Sequence, residues 1–125
     1  MARRTPSDDE FAEARKRSAE RDRSLDKVRR NVMKKLHAVL RLPLHDFFVL
    51  SQGDAGFRAY VFLNSDEDVM ACKRSGDLAD IEDCVYEQLE MAGRGTRNEI
   101  VVAFEYDSDE NVQRSFKGNY YLRLL

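Results

Sequence analysis

The densest clusters of oxygen-bearing side chains lie in two hexapeptides, NSDEDV at 64–69 and DSDENV at 107–112. Each sets oxygens at its first, third and fifth positions, the spacing that opens a calcium loop. Such a loop also needs glycine at its sixth position and a bidentate glutamate at its twelfth. Here the sixth residues are Val69 and Val112, and the twelfth are Ser75 and Gly118. The ligands that would close the coordination shell are missing, so no metal or cofactor is expected.

Other reactive residues are sparse. His37 falls in the last turns of a helical segment, where a positive ring would suit the dipole, and His45 stands at the entry to a strand. Cys72 and Cys84 are too few and too far apart for a zinc or redox motif, and read as small reduced core residues. The GRGTRN stretch at 93–98 lacks the strand-before, helix-after context of a phosphate loop. No residue is assigned to catalysis. An enzyme would require His37, His45 or a cysteine to meet acids in a cleft.

The same SDE stretches make better sense as helix starts. Four sets share one rule: an oxygen-bearing cap, an acid or amide three residues on, then an apolar residue. They are Ser7/Glu10/Phe11, Ser65/Asp68/Val69, Asp77/Asp80/Ile81 and Ser108/Asn111/Val112. The cap oxygen accepts from amides that the first turn leaves unpaired, which is worth about 0.5–2 kcal/mol. The two hexapeptides also lie 43 residues apart as strand-to-helix junctions, a weakly marked duplication.

Periodicity supplies the elements. A helix runs from Ser7 to near Leu42, where Pro43 stops it. Its first part, EARKRSAERDRS, is almost wholly polar. Leu25, Val28, Val32, Leu36 and Val39 then form an apolar stripe. HDFFVLS and FRAYVFLN read as strands joined by QGDAG. Phe57, Ala59, Val61 and Leu63 share one face, and Tyr60 and Phe62 make the other less than fully wet. A short helix from Ser65 ends at Gly76, and a longer one follows with Leu78, Ile81, Val85, Leu89 and Ala92 buried. EIVVAFEY is a strand, a short helix starts at Ser108, and NYYLRLL alternates as a final strand.

These elements predict an α+β fold: a long N-terminal helix and a small, mostly antiparallel sheet of three to four strands, with helices packed on one face. Residues 1–24 would form a charged helical arm and 25–125 a single domain. No apolar run is long enough to span a membrane, and the basic start lacks the apolar stretch of a secretory signal; the expected location is the cytoplasm.

Charge separates the two parts. Residues 1–41 hold 13 Lys/Arg and 7 Asp/Glu, whereas 42–125 hold 8 and 16. An acidic body suits a basic protein partner, met through Asp80, Asp83, Glu87 and Glu90. The alternative partner is nucleic acid, bound by Arg15, Arg17, Arg21, Arg29, Arg30 and Lys34, with Tyr60 and Phe62 or Tyr120 and Tyr121 stacking on bases. The stripe spacing also allows a homodimer through the N-terminal helix. In general character the chain resembles bacterial immunity proteins, antitoxins and dedicated chaperones, which implies a non-catalytic protein-binding module. That likeness is one of type and carries no residues with it.

Overall fold

The computed structural model describes residues 8–53 and 55–125, apart from the side chains of some positions in the first helix. The elements run α1 (Asp8–Ala38), β1 (Leu44–Gln52), β2 (Gly56–Leu63), α2 (Asp66–Ser75), α3 (Asp77–Met91), β3 (Val101–Ser108), α4 (Asp109–Phe116) and α5 (Tyr120–Leu124). The cap expected at Ser7 lies outside the described residues. The fold is α+β.

The sheet has three strands in the order β1-β2-β3 and is mixed. β1 and β2 form an antiparallel hairpin, and β2 and β3 pair in parallel, from Gly56 opposite Val101 to Leu63 opposite Ser108. The expectation of a mostly antiparallel sheet is corrected here. The two helices between β2 and β3 carry the chain back to the start of the sheet, and such a crossover sets the next strand parallel.

The expected fourth strand is also corrected. Residues Tyr120–Leu124 are helical, with the Asn119 side chain accepting from the Leu122 amide. Tyr120 and Leu124, four residues apart, turn onto the same apolar cluster. One turn of helix satisfies that pair better than a strand, which would keep them on one face but reach much further along it.

Helices cover both faces of the sheet, not one. On the first face, Phe47, Val49, Phe57, Ala59, Val61 and Leu63 meet Val28, Val32 and Leu36 of α1 and Ile81, Val85 and Leu89 of α3. On the second, Tyr60, Phe62 and Phe48 meet Val112 and Phe116 of α4 and Tyr120 and Leu124 of α5. The alternation along β2 therefore feeds two cores, one mostly aliphatic and one largely aromatic.

The stripe of α1 ends sooner than its spacing suggests. Val39 is 71% exposed. The helix stops at Ala38, and Arg41 adopts a left-handed conformation with φ of 53°. That turn swings the chain into β1, leaving Val39 beyond the core.

Two of the helix starts hold as caps. Ser65 accepts from the Asp68 amide while the Asp68 carboxylate accepts from the Ser65 amide, a complete reciprocal cap. Ser108 accepts from the Asn111 amide. Asp77 is not a cap: Gly76 precedes α3 and offers no side chain. Gly76 ends α2 at φ of 84° and starts α3 at the same residue, so the left-handed turn serves both helices. Asp77 instead accepts a bond from the Ser75 hydroxyl.

The two SDE junctions sit side by side at the carboxyl ends of the parallel strands and stitch each other. The Ser108 hydroxyl donates to Asp66 Oδ1 at 2.5 Å, Arg114 donates to Asp66 Oδ2 at 3.0 Å, and the Asp66 amide donates to Glu110. The Ser108 hydroxyl and the Arg114 guanidinium hold the Asp66 carboxyl below the usual aspartate range. These acids are spent on structure.

Candidate functional site

The positions that suggested chemistry are scattered. The ring of His37 lies 2.9 Å from the Leu44 carbonyl, tying the end of α1 to β1. His45 sits on the other side of the sheet, 3.3 Å from Asp109 and stacked on Tyr120. Cys72 and Cys84 are buried and unpaired, and burial pushes both thiols above the usual cysteine value. A raised thiol is a poor nucleophile. Among the described residues, no group of histidines, cysteines and acids is placed to hold a metal ion.

The second face is closed chemically as well as sterically. Tyr120 packs edge-on against Phe62, with ring centroids 4.9 Å apart, and donates to Asp109 at 2.5 Å. That bond holds the Asp109 carboxyl down, and burial together with Asp109 pushes the Tyr120 phenol up. Arg123 donates to Asp107 at 2.6 Å and lies over Tyr60, Phe62 and Phe116. Tyr60 and Phe62 are buried and Tyr120 is partly so. Of the four aromatics expected to stack on bases, Tyr121 alone stands in solvent.

The basic arm divides likewise. Arg15, Arg30 and Lys34 are exposed, while the side chains of Arg17 and Arg21 lie outside those described. Arg29 is committed to the fold. It donates to the Phe47 carbonyl at 2.7 Å and to Asp46 at 2.6 Å, and it lies over the Phe48 ring. It pins α1 to β1.

Asp80, Asp83, Glu87 and Glu90 are all exposed on α3. Asp83 pairs with Arg97 at 2.6 Å, which holds the guanidinium more firmly charged. Glu87 pairs with Lys35 of α1 at 3.2 Å. Asp80 and Glu90 make no ion pair among the described residues, and neither do Lys27 and Lys34 on α1.

The outer surface of the α1–α3 layer is thus two-sided. From Lys27 to Arg41 the chain has basic residues and no acid; from Asp77 to Met91 it has six acids and no base. Between the helices runs an open groove of about 340 Å³, with Asn31, Lys34 and Val39 on one wall and Glu87 and Met91 on the other. Smaller recesses prolong it towards Leu40 and Asp80 at one end and Lys27 and Ala92 at the other. Met91 is 73% exposed and Val39 is nearly as bare.

Val39, Met91 and Lys27 were not among the expected contact residues. A signal for Lys27 was present in the acid-free run of α1. The apolar pair had none, because Val39 reads as a core position until the helix end is known. No protein-family model matches the chain, and no curated protein or solved structure matches it either.

Proposed function

We propose that this chain is a non-catalytic protein-binding module, of the immunity-protein, antitoxin or dedicated-chaperone type. It engages a basic protein partner through the acidic surface of α3. The observation that carries this reading is the exposed set Asp80, Asp83, Glu87 and Glu90 on a helix without a single base, beside a groove edged by bare Met91 and Val39. Surface carboxylates of one sign steer a basic partner into contact, and apolar side chains at the centre supply burial once water leaves. Reduced Cys72 and Cys84 fit the cytoplasm as its location.

The test is affinity capture from cell extract with the wild type and an Asp80→Lys/Glu90→Lys variant. A basic protein retained by the wild type, released by about 0.5 M salt and lost with the variant supports the proposal. Retention of the same proteins by both, or of acidic proteins alone, overturns it.

A second reading is nucleic-acid binding by α1 through Arg15, Arg30 and Lys34, favoured by the acid-free run from Lys27 to Arg41. Its affinity would fall steeply with salt, as phosphate contacts require, in a gel-shift series on single- and double-stranded probes. Absence of any shift at 50 mM salt ends that reading.

A further inference from the structure

We infer that the α1–α3 face is self-complementary and that a second copy of this chain docks on it, α1 of each copy over α3 of the other. The inference rests on the reading of α3 as a binding surface, and it names an occupant whose basic wall is already part of this molecule.

α1 and α3 run antiparallel beside one another, as three contacts along the seam show: Lys27 lies near Ala92, Lys35 bonds Glu87, and Leu40 lies near Asp80. Two such faces can meet around a two-fold axis in either of two orientations. An axis across the helices sets α1 on α1 and α3 on α3, base against base and acid against acid. An axis along the groove sets α1 of each copy on α3 of the other. Repulsion rejects the first, and attraction favours the second on both sides of the axis at once.

The apolar residues fit the same axis. Side chains beside a two-fold meet their own copies. Val39 and Met91 both border the groove, so Val39 meets Val39 of the second copy and Met91 meets Met91 of the second copy. Lys34 lines the same groove, Lys27 and Asp80 line the recesses that prolong it, and Glu90 is exposed on α3; none of the four makes an ion pair among the described residues, and each wall faces the opposite charge of the second copy. The Lys35–Glu87 pair spans the groove between them at 3.2 Å. Docking turns two two-helix layers into a four-helix layer between two sheets.

The size of the face sets the strength. α3 has 15 residues, which is about 22 Å of helix. A two-helix face of that length falls at or below the roughly 800 Å² per partner of a standard interface. The dimer is therefore concentration-dependent, and it weakens with salt because much of its contact is charge.

Sedimentation equilibrium of the purified full chain tests this, with two charge-reversed variants. Lys27→Glu/Lys34→Glu places two acids on the basic wall; Asp80→Lys/Glu90→Lys places two bases on the acidic wall. The wild type should dimerise, with a dissociation constant rising about tenfold between 50 and 300 mM salt. Each variant alone should be monomeric. An equimolar mixture should restore a dimer containing one of each, because both contacts are then attractive. A lysine role confined to folding would not be rescued by mixing, and circular dichroism of each variant confirms that it is folded. A wild type that stays monomeric at about 1 mM and 50 mM salt overturns the inference. So does a dimer that both variants retain, which would place the contact elsewhere. Neither result touches capture of a basic protein by α3, and loss of that capture leaves the self-docking result standing.

Discussion

The two faces of the sheet use charge in opposite ways. On the second face, charged groups near the aromatic cluster are spent on neighbours: Arg123 on Asp107, Asp109 on Tyr120 and His45, Asp66 on Ser108 and Arg114. On the first face the core is mostly aliphatic, and the charges lie outside it on α1 and α3. There the lysines and carboxylates stand on separate walls with the Lys35–Glu87 pair between them. The lesson concerns what each surface is for. Charges that are paired and half-buried serve the fold, whereas charges sorted by sign on an open groove cost little to keep and gain most from a second molecule.

The largest losses of stability are expected in the cores. Phe62→Ala should cost about 3–5 kcal/mol and Leu36→Ala about 2–5, because both side chains are fully buried and would leave cavities. Urea titration of each measures this. If Phe62→Ala costs less than about 1 kcal/mol, α5 is not a packed part of the fold.

Smaller effects sharpen the contrast in charge. Asp107→Ala should cost about 1–3 kcal/mol, since it leaves the mostly covered Arg123 guanidinium without its carboxylate. Ser108→Ala should cost about 1–2 kcal/mol, because the hydroxyl both caps α4 and donates to Asp66. By contrast, Lys34→Ala and Glu90→Ala should each change stability by no more than about 0.5 kcal/mol. If the surface pair proved as costly as Asp107→Ala by the same titration, the division of labour between the faces would fail.

The smallest effect is the dependence on pH. The carboxyls of Asp66 and Asp109 are lowered in the folded state. Their contribution is fully present above the ordinary aspartate value near 4 and is lost as pH falls through the lowered values. Asp109→Asn should flatten part of the acid limb of a stability–pH profile. Tyr106 and Tyr120 are raised, chiefly by burial. Their contribution is present below pH 10 and declines as pH rises beyond it, so Tyr106→Phe should soften the alkaline limb.

Local pattern made several of these parts legible in the sequence. The caps at Ser65 and Ser108 follow from a three-residue spacing, and the two faces of β2 follow from strict alternation. The stripes of Val28, Val32 and Leu36 and of Ile81, Val85 and Leu89 follow from helical period. What pattern could not show depends on distant parts of the chain. The parallel pairing of β2 and β3 is set by a crossover, not by the strands. NYYLRLL alternates, but Tyr120 is claimed by Phe62 and Asp109 in space. Gly76 displaced Asp77 as the start of α3 because one left-handed residue can turn between two helices without a side chain. The acids of α3 were visible as a candidate surface. The groove beside them was not, since it exists only where α1 lies antiparallel to α3.

The central claim is that the α1–α3 face is the working surface. Met91 on that face and Tyr121 on the opposite side are equally bare, at 73% and 72% exposure. A photo-crosslinking residue placed at one or the other in the full chain, and irradiated in cells, compares them directly. Discrete adducts, with another protein or a second copy, are expected from position 91 and none above background from position 121. Adducts of equal yield at both positions, or at 121 alone, would contradict that claim.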